Sequence, residues 1–129
     1  MTHLLDSDYV ASFLNGIRSA VEMVRPLLFG SAAVSVITLG EIYEGVLYGS
    51  DRERREASFS EFLIPVRILP ITERIAIRYA ELRGELRQQG NLIADNDLFI
   101  AATALEHGLT LVTANRRHFD RVPGLALLG

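Results

Sequence analysis

A chain of 129 residues, 49% of them apolar, with 13 basic and 16 acidic side chains, is long enough for one core and too short for two domains. The absence of cysteine excludes disulfides and thiolate metal sites, and no apolar run approaches the roughly 18 residues of a membrane span. A net charge of −3 argues against a broadly basic nucleic-acid face, although acids needed to hold metal ions would pull the average down. Met1 to Asp6 offers neither a basic leader nor a long apolar stretch, so no signal peptide and a cytoplasmic location are expected. The mean hydropathy of +0.21 is high enough to suggest a covered partner surface.

In chain order, Leu4-Leu5 reads as a short buried strand ending at Asp6. Val10, Phe13, Leu14 and Ile17 then recur at helical spacing before the helix-ending pair Asn15-Gly16. A second helix is expected over Ala20 to Phe29, with Pro26 late in it or kinking it. Ala33 to Ile37 is a second strand, Thr38 to Tyr48 a helix closed by Gly49, and Asp51 to Leu63 a charged helix running into Pro65. Val66 to Leu69 is a third strand. Thr72 is placed to cap a helix carrying Ile75, Tyr79, Leu82 and Leu86, with Gly90 as its stop. Leu98 to Leu105 forms a further helix ended near Gly108, Leu109 to Thr113 a fourth strand, and Leu125 to Leu128 a fifth. Alternating strands and helices with apolar strands predict an α/β fold whose central, mainly parallel sheet is covered on both faces.

In open parallel sheets, ligands sit beyond the carboxyl ends of the strands. Asp6 and Asp8 follow the first strand, Glu41 lies about one helical turn past the second, Asp95 and Asp97 open the helix before the fourth, and Asn115 lies just past it. Acids from distant stretches are thus expected to meet at one edge. Such crowding raises carboxyl pKa values unless a cation relieves it, and hard ions such as Mg²⁺ or Mn²⁺ prefer carboxylate oxygens. Such ions activate water for phosphoryl displacement. Spacing alone therefore points to a metal-dependent phosphotransfer enzyme.

Leu4-Leu5-Asp6-Ser7-Asp8, Val34 to Glu41, Asp97 to Ala104 and Leu111-Val112-Thr113-Ala114-Asn115 resemble, in order, the motifs of PIN-domain toxins of the VapC type. His118-Phe119 and Val122-Pro123-Gly124-Leu125 are similar to that family as well. The resemblance implies a PIN-like three-layer α/β/α sandwich and a Mg²⁺-dependent (or Mn²⁺-dependent) endoribonuclease cleaving single-stranded RNA. It also implies a homodimer, and a cognate antitoxin that holds the enzyme inactive. Carried over, it makes Asp6, Glu41 and Asp97 the catalytic, metal-holding acids, Glu41 directly or through water. Asn115 stands where many members carry aspartate, and Asp95, Asp8 and Thr113 are candidates to compensate or to support the ligands. Arg116, Arg117 and His118 are candidate RNA contacts. Arg52, Arg54 and Arg55 read as a solvated cluster.

Structural alternatives exist for several of these residues. Asp6 and Asp8 suit helix capping, Thr38-Leu39-Gly40-Glu41 fits a capping box, and Asp95 fits an N-cap. Aspartate-nucleophile phosphatases and receiver domains also gather acids at a sheet edge with a cationic side chain, usually lysine; the absence of lysine argues against receivers, and 129 residues is short for the phosphatases. A catalytically impaired PIN-like interaction module is the non-enzymatic alternative. Tyr43, Val46, Leu47 and Phe59 are expected to form the surface that a partner covers.

Overall fold

Alternation within the short apolar runs builds the architecture of the chain, described over residues 1–129 by a computed structural model. Strands β1 (His3–Leu5), β2 (Ala32–Ser35), β3 (Arg67–Leu69), β4 (Thr110–Val112) and β5 (Leu127–Leu128) form one sheet in the order β3-β2-β1-β4-β5. Every pairing is parallel, with Leu4 aligned to Ala33 on one side and to Leu111 on the other. Successive strand residues point to opposite faces. Leu4, Ala33 and Leu111 accordingly join one core cluster, which includes Ile75, Leu86, Leu98 and Phe119. Leu5, Val34 and Val112 join a second, with Val10, Val24, Phe59 and Phe62. Two cores on one sheet make the three-layer α/β/α sandwich.

The helices are α1 (Ser7–Leu14), α2 (Arg18–Val24), α3 (Val36–Tyr48), α4 (Arg52–Leu63), α5 (Glu73–Gln88), α6 (Asp95–His107) and α7 (Arg116–Phe119). The hydroxyl of Thr72 accepts from the Ile75 amide at 3.2 Å, capping α5 as expected. Gly90 and Gly108 take the left-handed φ values (71° and 65°) that end α5 and α6. No helix is long and apolar enough to cross a membrane.

Three local expectations need correction. The second strand stops at Ser35, not Ile37, because the Ser35 hydroxyl caps α3 by accepting from the Ile37 amide at 3.0 Å. The second helix begins at Arg18 and gives way at Arg25 to a 3₁₀ turn (Arg25–Leu28) containing Pro26, leaving Phe29 outside it and 85% exposed. Phe59 and Val46 are buried, and the Tyr43 ring meets Phe59 edge-on at 5.0 Å, so these three serve the core rather than a partner. The most exposed large apolar side chains are instead Phe29, Tyr48 and Ile64, followed by Ile77 and Ile17, with Leu47 at the margin.

Candidate active site

The strand order places β1 between β2 and β4, so the residues leaving these three strands at their carboxyl ends are neighbours. Helix α6 runs back toward that same edge with its N-terminus, delivering Asp97. Asp6 is the buried centre, only 6% exposed. It does cap α1: one carboxylate oxygen accepts from the Ser7 amide at 2.8 Å, and the other accepts from the Thr113 hydroxyl at 2.7 Å. Capping α1 therefore does not take Asp6 away from the meeting point of β1 and β4. Thr113 ties the ends of β1 and β4 together through this buried bond.

Glu41 lies in the second turn of α3. Its carboxylate accepts from the Ser7 hydroxyl at 2.6 Å and from the Asn96 amide at 3.5 Å. It does not close a capping box on Thr38, because Ser35 already caps that helix. Thr38 is instead buried and accepts the Ser7 hydroxyl at 3.1 Å. Asp97 is half-buried in the first turn of α6, with a carboxylate oxygen 3.7 Å from His118 Nδ1. Asp8 turns toward β4: one oxygen accepts from the Ala114 amide at 2.9 Å and from the Thr113 hydroxyl at 3.4 Å. Asp8, not Asn115, is the additional carboxylate beside the end of β4. The amide of Asn115 is engaged with His118 Nδ1 at 2.8 Å.

The acids perturb one another. Burial pushes the Asp6 carboxyl up to about 6, against the hydrogen bonds from Thr113 and Ser7, with Asp8 and Asp97 adding like-charge repulsion. Asp97 is also raised, first by burial and then by Glu41 and Asp8, with His118 opposing. Asp95 differs. It is neither the N-cap of α6, a position held by Ala94, nor part of this cluster. Its carboxylate accepts from Arg83 and from the Tyr79 hydroxyl, both at 3.1 Å, and Arg83 above all holds its carboxyl below the usual range. The Tyr79 ring stacks on Phe99 at 3.9 Å, so this group braces the start of α6.

As the side chains stand, no three His, Asp or Glu groups close around a single point as metal ligands would. Glu41 is turned to Ser7 and Asn96, and Asp97 faces His118. The fit to a divalent cation therefore lies in donor chemistry: hard oxygen acids, of which Asp6 and Asp97 are made harder to ionise by burial and then by like-charged neighbours. Two groups were missed in the sequence, Ser7 and Asn96, which hold Glu41. Ser7 was legible as the residue between Asp6 and Asp8, but Asn96 meets Glu41 only through the tertiary fold.

The chain matches the PIN domain family model over residues 4–125. It is 38% identical over 95 residues to a ribonuclease VapC2 of Rickettsia felis, covering 74% of this chain and 71% of that protein. Identity is 40% over 96 residues with a ribonuclease VapC2 of Haemophilus influenzae, covering 74% and 73%. The fold superposes with a TM-score of 0.90 and 32% identity on VapBC2 from Rickettsia felis bound to a DNA fragment from their promoter, covering 99% of this chain and 98% of that one. These matches place the chain in the PIN-domain family, among the VapC ribonucleases.

Proposed function

We propose that this chain is the toxin endoribonuclease of a toxin–antitoxin pair, cleaving single-stranded RNA with a divalent cation, Mg²⁺ or in its place Mn²⁺. The observation that carries this is the convergence of Asp6, Glu41 and Asp97, with Asp6 buried and pushed up to about 6, in a VapC-family fold. Asp6 and Asp97 would hold the cation, with Glu41 close by or reaching it through water. When bound, such an ion supplies charge stabilisation at the phosphoryl group and a water ionised near neutral pH. The rest falls to the protein. Thr113 fixes the Asp6 carboxylate, and Ser7 holds Glu41 in place to orient the attacking water and accept its proton. Asp8 supplies negative charge that Asn115 lacks. Arg116 and Arg117, exposed in α7 beside Asn115, are placed to meet the RNA backbone.

Relatives supply the partner. Solved VapBC complexes from Rickettsia felis and Salmonella typhimurium are its structural neighbours, so a cognate antitoxin is proposed here too. Phe29, Tyr48 and Ile64, each more than 80% exposed, support a covered surface and a homodimer, in a cytoplasmic protein without cysteine. A monomer by light scattering at tens of micromolar would count against the dimer.

The reaction is tested by its products. Hydrolysis by an activated water leaves a 5′-phosphate and a 3′-hydroxyl and stops in EDTA. Attack by the RNA's own 2′-hydroxyl would leave a 2′,3′-cyclic phosphate and need only a base such as His118. Cyclic ends, or full activity in EDTA, would overturn the mechanism.

Ser7→Ala should cost about tenfold in cleavage rate. A hydrogen bond to a charged group contributes about 1.5–3 kcal/mol, and without this one Glu41 loses its tether. Ser7→Thr, which keeps the hydroxyl, should restore most of the rate. A Ser7→Ala enzyme as fast as wild type would remove the orienting role.

A further inference from the structure

Beside Glu41 a cleft of about 320 Å³ opens between α1, α3 and α4. Leu14 and Ile42 give it an apolar wall backed by the buried Val46, while Arg54 and Arg55 reach it from α4. The ion pairs of the chain engage Arg18, Arg52, Arg74, Arg78 and Arg83, and none engages Arg54 or Arg55. Two free guanidinium groups, an apolar wall and a catalytic carboxylate therefore share one opening. We propose that this cleft seats the nucleotide next to the cleaved phosphodiester, its base on the apolar wall and its phosphate held by Arg54 and Arg55. The proposal rests on the ribonuclease function above and adds a substrate subsite to it.

Charge and topology favour RNA as the occupant. The planar guanidinium fork matches a phosphate, and apolar side chains accept the face of any unpaired base. Since β2 and β4 lie on opposite sides of β1, the groups following them flank Asp6 from two directions. Arg54 and Arg55 stand on the β2 side, beside Glu41, and Arg116 and Arg117 follow β4. A single strand crossing the acids would meet an arginine pair on each side of the scissile bond. In a chain of net charge −3, these pairs supply the counter-charge that RNA needs.

Two variants separate charge from shape. Arg54→Gln combined with Arg55→Gln removes the phosphate grip. Gly45→Leu fills the cleft instead: a Cβ at Gly45 meets nothing within 4 Å, so the new side chain starts in open space, and circular dichroism is the folding control. Leucine is also the better helix former. Cleavage kinetics on a single-stranded RNA oligonucleotide, and fluorescence anisotropy of the labelled oligonucleotide in EDTA, are the readouts. Both variants should raise KM and the dissociation constant roughly tenfold or more. The double arginine variant should also flatten the slope of log affinity against log salt by about 0.7, the share of the one phosphate it releases, whereas Gly45→Leu leaves it unchanged. Unchanged KM, affinity and salt slope would overturn the proposal. So would unchanged RNA parameters combined with weaker inhibition by the antitoxin, which would make the cleft a protein-docking site. A wild-type protein that binds RNA through these arginines but cleaves none would strike at the ribonuclease function and leave the cleft standing.

Discussion

Asp97→Asn is expected to lower cleavage of single-stranded RNA by roughly 10²-fold or more, a loss of several kcal/mol of transition-state stabilisation. The substitution keeps the shape of the side chain and its place in the first turn of α6, so the fold should persist. What disappears is one of the charges that would hold the cation. Asp6→Asn and Glu41→Gln should be as damaging, since each removes a carboxylate from the same edge of the sheet. His118→Ala should do far less, because its ring meets Asp97 at 3.7 Å and otherwise engages Asn115. Asn115→Asp should be tolerated or activating, since it adds charge beside the acids. Single-turnover assays with circular dichroism as the folding control would decide. Wild-type rates in Asp97→Asn would end the assignment of the acids.

The second large effect is on stability. An aspartate held at about 6 in the fold, against an ordinary value of 3.8, opposes folding once it is ionised. Below about pH 4 both folded and unfolded chains carry the proton and there is no penalty. Between about pH 4 and pH 6 the unfolded chain has lost this proton while the buried carboxyl keeps it, so stability falls by roughly 3 kcal/mol from Asp6 alone, at about 1.4 kcal/mol per pKa unit, and levels off once pH passes 6 and both states are ionised. Asp97, raised for the same reasons, acts in the same direction. Asparagine at position 6 retains an oxygen for the Ser7 amide and never ionises. Urea denaturation in EDTA should therefore show Asp6→Asn gaining on wild type between pH 4 and pH 7. Mn²⁺ should remove much of that advantage, because it binds only the folded wild-type site. A stability difference independent of pH would mean that burial and the neighbouring acids do not raise the Asp6 carboxyl.

Much of this protein was legible in its sequence because strands and helices follow local patterns. The alternation of Leu4 with Leu5 and of Ala33 with Val34 fixed which residues enter which core. Thr72 and Gly90 marked the ends of α5, and the motifs around Asp6, Glu41 and Asp97 placed the acids at one edge. Boundaries were less legible where two local options compete. Val36 and Ile37 are β-branched and read as strand, yet the Ser35 cap starts the helix there. The partners of each acid could be decided only by the tertiary structure. Whether Glu41 caps its own helix or accepts from Ser7, 34 residues away, depends on how α1 packs on α3. Asp95 and Asp97 lie two residues apart on α6, yet Arg83 and Tyr79 draw the first away while the second faces the cluster. Arg54 and Arg55 read as a solvated face in the sequence and are exposed in the fold; that they also line an opening shared with Glu41 depends on how α4 packs on α3. Patterning is a property of neighbours along the chain, whereas burial, repulsion and hydrogen bonding at a site arise between segments that only the packed sheet brings together.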